Sequence, residues 1–400
     1  MTIAVEKQRI ISIDVIRGLV MLLMALDHVR DYFHIDANTI DPLDPNVTNP
    51  FLYFTRWVTH FCAPTFVFLS GTSIYLQSLR KSANELAIFL ITRGIWLILA
   101  EVSIVTFGWT FDLNFRLMVF AVIWAIGISM LLLGLLVFLR TPYTILLIIG
   151  ALIVGGHNLL DYAEQSPAFE TTLLKDLIHH GGFNVYPLFA NHSLLVIYPF
   201  LPWFGLMLLG YCLGKIFTPT YSFEKRRSIL IKSGISCIML FVLIRLSNLY
   251  GNPTPWVHQD SLMNSIYSFL NVSKYPPSLL YSFMTIGPML LLLAWIEKVQ
   301  NRFTDIMNVF GRTAFFYYIL HIYLIHFLAT ISFLAKGHSL NEELPDKLRT
   351  PFNFVVVGEG YSLPVVYLIW ITVLIILYPL CKWYDGYKSR NKQKKWLSYI

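Results

Sequence analysis

Runs of about 20 apolar residues recur along the whole of this 400-residue chain, and each is long enough to cross a hydrocarbon core of about 30 Å. Ten such runs stand out, at roughly 11–33, 53–78, 86–108, 115–138, 143–159, 194–216, 228–249, 278–297, 305–335 and 361–382. They are continuous rather than alternating, which predicts helices and excludes barrel strands. With 56% hydrophobic and 13% charged residues, the chain lacks the polar surface of a soluble domain, where about 25% of residues are charged. The expected fold is all-α: one polytopic integral membrane bundle of about ten transmembrane helices over residues 1–400. No fixed-period repeat and no soluble domain interrupt it.

The net charge of +7 follows topology rather than nucleic-acid binding. Most Lys and Arg fall on the side of the ten-span arrangement that carries both termini: the N-terminal tail, Arg80-Lys81, Arg140, Lys225-Arg226-Arg227, Lys298, Arg302 and the 382–395 tail. The positive-inside rule then places both termini in the cytoplasm of a cell (inner) membrane protein. The segments 34–52, 160–193, 250–277 and 336–360 become outward loops, long enough to shape a recognition surface. Lys7 and Arg9 precede an apolar stretch, as in a secretory signal, but Asp14 and Arg17 interrupt it, so it reads as a retained first helix. Four scattered cysteines (62, 212, 237, 381) form no CxxC pair and read as packing residues.

Ionisable residues inside a bilayer are costly, which makes each a candidate for function. The first run carries Asp14 and Arg17, then Asp27 and His28. At 1.5 Å per residue, Arg17 lies about 9 Å from the cytoplasmic start and His28 about 25 Å, on nearly the same face. Asp14 and Arg17 have the spacing of an i,i+3 ion pair, and Asp112 and Arg116 that of an i,i+4 pair. The second run places His60 level with His28. Pro64 lacks an N–H, so the His60 carbonyl loses its helical partner and a kink is expected there. In the ninth run an ideal continuous helix puts Arg312, Tyr323 and His326 on one face and His321 nearly opposite, so at most one of the two histidines is expected to share the cavity unless the helix is kinked. Glu101 and Arg245 are candidates for ion pairs in the outer half. His157, His179, His180, His192, His258 and His338 fall in outward loops, where solvation is the plain reading.

A layering results. Arg17, Arg93 and Arg312 lie toward the cytoplasm, and His28, His60 and His321 or His326 toward the outside. Arginine suits phosphate recognition, and histidine suits proton transfer near neutral pH. Anchoring by the positive-inside rule explains Arg93 equally well. No HExxH, GxSxG or P-loop is present, and no metal is expected.

Several of these segments resemble a known family. Ser12-Ile13-Asp14-Val15-Ile16-Arg17-Gly18 with Met24-Ala25-Leu26-Asp27-His28, Ala63-Pro64-Thr65-Phe66-Val67-Phe68-Leu69-Ser70-Gly71, and Gly311-Arg312-Thr313 with Tyr318-Ile319-Leu320-His321 and His326 resemble the bacterial branch of the heparan-alpha-glucosaminide N-acetyltransferase catalytic-domain family. The opening motif is also similar to acyltransferase-3-like membrane enzymes. The resemblance implies a helical membrane enzyme that takes acetyl from cytoplasmic acetyl-CoA and delivers it to a glycan or amino sugar across the membrane. It makes Asp27 and His28 the candidate catalytic pair and Arg17 a donor-side residue. On this expectation His28, polarised by Asp27, acts as general base, and His60 or His326 assists. A transporter of a small sugar or anion would also carry charged residues in its membrane core, though no matched pair of broken helices is visible. Dimerisation is left open by the sequence.

Overall fold

The computed structural model describes residues 10–398. The chain runs α1 (Ile11–Phe33), α2 (Pro50–Thr59), α3 (Cys62–Ser78) and α4 (Ala83–Ala100), the last passing through a π turn at Glu101–Val105 into α5 (Thr106–Thr110). It continues with β1 (Leu117–Phe120), α6 (Val122–Phe138), α7 (Tyr143–Gly156), α8 (Leu159–Glu164), α9 (Leu173–Ile178), β2 (Val185–Phe189), β3 (His192–Val196), α10 (Phe200–Leu213) and α11 (Phe223–Ser247). Then follow α12 (Leu262–Leu270), α13 (Leu279–Ile296), α14 (Arg302–Arg312), α15 (Ala314–Ala335) and α16 (Leu363–Arg390).

Local chemistry sets the helix starts. Asn49 accepts from the Leu52 N–H ahead of Pro50, and Ser82 forms a reciprocal capping box with Glu85. Ser222 and Ser278 cap α11 and α13 by accepting from the Lys225 and Tyr281 N–H groups.

Among the described residues, seven helical stretches are long and apolar enough to cross a membrane: Ala83–Thr110, Tyr143–Glu164, Phe200–Phe217, Phe223–Ser247, Leu279–Ile296, Ala314–Ala335 and Leu363–Arg390. The other three of the ten expected runs differ for identifiable reasons. Five charged residues (Asp14, Arg17, Asp27, Arg30, Asp31) lower the apolarity of α1, which is enclosed by α2, α3, α13, α14, α15 and α16 rather than facing lipid. The 53–78 run breaks at His60–Phe61 into α2 and α3, and the 115–138 run gives up its start to β1, leaving the 17-residue α6. The ninth run is also broken, at Thr313, although α15 alone keeps spanning length.

A small sheet, ordered β1-β3-β2, departs from the all-α expectation. β3 pairs parallel with β1 and antiparallel with β2, the latter through a tight turn at Ala190-Asn191. Part of the 160–193 segment is thereby pinned to the entry of α6.

Glycines decide how closely the central helices approach. A Cβ on Gly18 would lie 1.8 Å from the Met307 carbonyl oxygen, and one on Gly311 would lie 1.8 Å from that of Asp14. The backbones of α1 and α14 therefore touch, a crossing that only glycine at both positions permits. The glycines of the opening motif and of Gly311-Arg312-Thr313 are two halves of one contact. All four cysteines are free, three of them buried.

Candidate active site

Asp27 and His28 are neighbours on α1, so they point about 100° apart and meet different partners. His28 turns toward α15, where its Nδ1 lies 2.8 Å from His321 Nε2. His321 Nδ1 faces the Tyr317 carbonyl at 3.1 Å. A carbonyl only accepts, so His321 carries its proton on Nδ1 and its neutral ring accepts at Nε2. His28 then donates from Nδ1, which leaves the lone pair on His28 Nε2. The two rings stack with centroids 5.0 Å apart, and Trp109 packs edge-on against His28 at 4.6 Å.

Asp27 turns the other way. Its carboxylate meets Arg56 Nη1 at 2.6 Å, Arg30 Nη2 at 3.0 Å and Lys274 Nζ at 3.9 Å. Arg30 also pairs with Asp31. Three cations thus share two carboxylates, and the cluster holds one net positive charge at the edge of the site. Both oxygens of Asp27 are engaged by these cations, so His321 rather than Asp27 orients the His28 ring.

Two cavities lie side by side along α1, and His28 lines the smaller one. A small one of about 50 Å³ is lined by His28, Asp27, Lys274, Thr59, Cys62 and Tyr198 among others, room for roughly three waters at about 15 Å³ each. A larger one of about 830 Å³ opens near the start of α1 and carries Arg17, Lys81, Arg93, Arg312, Lys388 and Lys392 against a single acid, Glu85. Phe66, Ile123 and Tyr318 line both. The basic chamber and the imidazole pair are therefore neighbouring compartments, separated along α1 by roughly 16 Å from Arg17 to His28.

The three arginines of the predicted layer all line the chamber. Arg17 stands 3.7 Å from Asp14, as its spacing predicts, with Phe66 below its guanidinium. Arg312 reaches Asp385 at 3.0 Å and Ser389 at 2.9 Å, and Arg93 lies over Phe89.

The histidines divide differently from expectation. His321 joins His28, whereas both ring nitrogens of His326 face carbonyls, Gly108 at 3.0 Å and Asn353 at 2.7 Å, with Phe111 stacked on the ring. His60 donates from Nδ1 to the Arg56 carbonyl at 3.0 Å and does not line the His28 cavity. Its freed carbonyl is real: the Tyr281 hydroxyl donates to it at 2.7 Å.

Among the described residues Glu101 makes no ion pair. Fully buried, it accepts the Trp124 N–H at 2.6 Å and so caps the positive end of α6. Arg245 donates to the carbonyls of Thr254, Ser268, Phe269 and Asn271, closing the end of α12 instead of meeting a carboxylate. Asp112 and Arg116 do pair, at 2.8 Å. Of the loop histidines, His157 and His179 are buried rather than solvated. Lys274 and Arg56 were hidden in the sequence, one inside a Pro-rich loop and the other in an aromatic helix, and nothing in spacing ties either to Asp27.

A polytopic helical membrane protein with a basic chamber beside a cavity that a buried histidine pair adjoins is the class these features define. The family model for the heparan-alpha-glucosaminide N-acetyltransferase catalytic domain matches residues 9–246, and the chain belongs to that family. The matched segment contains Arg17, Asp27, His28, His60 and Arg93; Lys274, Arg312, His321 and His326 lie beyond it. No curated protein matches the chain.

Proposed function

We propose that this chain transfers acetyl from acetyl-CoA, held in the basic chamber, to a hydroxyl or amine of a sugar reached from the opposite face of the membrane. In this reading both termini lie in the cytoplasm of the inner membrane, so that the chamber opens toward the cytoplasmic acetyl-CoA pool. The single observation that carries it is the adjacency of a chamber lined by six basic side chains to the small cavity lined by His28, the two sharing Phe66, Ile123 and Tyr318.

The donor fits the residues present. A cavity of about 830 Å³ is within the range of about 300–1,000 Å³ typical of ligand sites. Arg17, Lys81, Arg93, Arg312, Lys388 and Lys392 supply charge-assisted hydrogen bonds for phosphate oxygens. When bound, acetyl-CoA supplies an activated acyl thioester. His28 Nε2 takes the proton that the acceptor loses, and the bond from His28 Nδ1 to His321 fixes the tautomer that leaves this nitrogen basic. Lys274, with its cationic neighbours, favours negative charge developing in the small cavity. Tyr318, Phe66 and Ile123 stand between the two cavities and line both, and in this reading the acyl arm of the donor passes between them.

The test uses purified protein in detergent. Micromolar acetyl-CoA should raise its melting temperature, and acetyl transfer to amino sugars or glycans should be lost in His28→Ala while the thermal shift remains. Absence of any shift together with retained activity in His28→Ala would defeat the proposal, and a shift with a sugar or anion alone would favour transport.

A further inference from the structure

A second cluster of ionisable groups lies away from the acetyl-transfer site, where the end of the α7–α8 stretch meets the segment after α9. Donor atoms of Asp161, Glu164 and His179 all lie within 4.8 Å of one another. Asp161 and His179 are buried, and the Glu164 side chain is only 13% exposed. Glu164 Oε1 stands 2.7 Å from His179 Nδ1. Asp161 receives the Asn158 amide at 2.7 Å. Among the described residues no Lys or Arg forms an ion pair with either carboxylate.

The contrast with Asp176 nearby is instructive. That carboxylate, equally buried, accepts from His180 at 2.6 Å, Tyr186 at 2.8 Å and Asn184 at 2.9 Å, and its donors satisfy it. Asp161 and Glu164 hold two adjoining carboxylates with one imidazole and one amide between them. A cation shared by the two would remove that imbalance.

We propose that Asp161, Glu164 and His179 bind a divalent transition metal, with zinc the best match to a mixed imidazole and carboxylate donor set. Zinc binds such donors at about 2.0–2.2 Å, which sets neighbouring donors in a tetrahedron about 3.4 Å apart. Separations of 2.7 to 4.8 Å bracket that value. Binding through His179 Nδ1 displaces the proton now shared with Glu164 and leaves the ring proton on Nε2. An acceptor is already in place there: His157 Nδ1, 2.8 Å away. His157 is thus a positioning residue that selects the metal-binding tautomer. The three ligands come from α8 and from the residue after α9, so the ion closes the 165–178 segment onto the end of the α7–α8 stretch, which Asn158 ties to α13 through the Leu279 N–H.

The full chain in detergent, stripped with a chelator, is titrated with Zn²⁺ and separately with Co²⁺ as a visible-absorption probe. The expected result is one saturable equivalent with a rise in melting temperature. His179→Ala and Glu164→Gln should each weaken zinc at least tenfold, and His157→Ala about ten- to hundredfold. His321→Ala should leave it unchanged. Glu164→Gln keeps a hydrogen-bond acceptor for His179, so it reports on metal binding even if His179→Ala fails to fold. Acetyl-CoA thermal shifts confirm that each variant is folded. Zinc binding that does not saturate, persists in Glu164→Gln or disappears in His321→Ala overturns the assignment.

Discussion

Two histidine pairs in this molecule share one bond length, 2.8 Å between Nδ1 of one ring and Nε2 of the next. His28–His321 ends on a peptide carbonyl, that of Tyr317, and His157–His179 ends on the Glu164 carboxylate. The far end decides the use of the near one. A carbonyl holds a proton without charge, so the first pair presents a neutral base to a cavity. A carboxylate with a second carboxylate beside it presents negative charge, so the other pair suits a cation. The same two side chains joined by the same bond, stacked at 16° in one pair and tilted at 56° in the other, therefore carry different chemistry because of what stands behind them.

The comparison breaks most visibly at His28. His28→Ala should lower acetyl transfer about 10²- to 10⁴-fold, the contribution of a general base, with acetyl-CoA binding retained. His179→Ala should leave the rate unchanged. Equal losses in both variants would mean that the pairs are not functionally distinct.

Next in size is Asp27→Asn, which separates charge balance from proton transfer. It leaves Arg30, Arg56 and Lys274 facing one another in the interior, at a cost of about 3–5 kcal/mol in stability. The readout is the melting temperature. A variant as stable as the parent but inactive would return Asp27 to the role of His28's direct partner.

His321→Ala sharpens the first pair by removing one buried hydrogen bond, about 1–3 kcal/mol, or roughly 5- to 150-fold in kcat. KM for acetyl-CoA should not change, because His321 does not line the basic chamber. An unchanged kcat would show that His28 needs no orienting partner.

The smallest effect concerns a third histidine arrangement, outside the spans. His338 sits between Glu342 and Glu359, each 2.9 Å away, and these carboxylates raise its pKa above the ordinary value of 6.5. A raised pKa in the folded state contributes stability that is present below about 6.5 and lost as pH rises through the folded value. Hydrogen exchange in the 336–360 loop should therefore quicken between pH 6 and pH 8.5 beyond the intrinsic increase, and His338→Gln should remove that extra dependence. The same profile in both proteins would assign it to another group.

The helical class, the grouping of Arg17, Arg93 and Arg312 around one cavity, the Asp14–Arg17 pair and the freed carbonyl of His60 were legible in the sequence because each follows from local spacing or position along a run. The partner of His28 was not. His321 and His326 are five residues and about 140° apart, and a wheel with one inward face admits only one of them. Both are buried, since α15 is enclosed on two sides, by α1 and by α5 with the 352–354 loop. Lys274 escaped for a related reason: hydropathy places it in an outward loop, but that loop folds back to the depth of Asp27. The strands were concealed by apolar residues that continue directly into α6 and α10.

The glycine crossing of α1 and α14 has a mechanical meaning. With Gly18 against Met307 and Gly311 against Asp14, Arg312 is riveted to the helix that carries both Arg17 and His28. The interval of roughly 16 Å from the arginine floor to the base then behaves as a ruler built into the scaffold. Under the proposed function, a thioester whose anionic end and acyl carbon are spaced to that gauge would arrive in register, and one with a shorter or longer arm would be gripped by the same charges with its carbonyl out of reach.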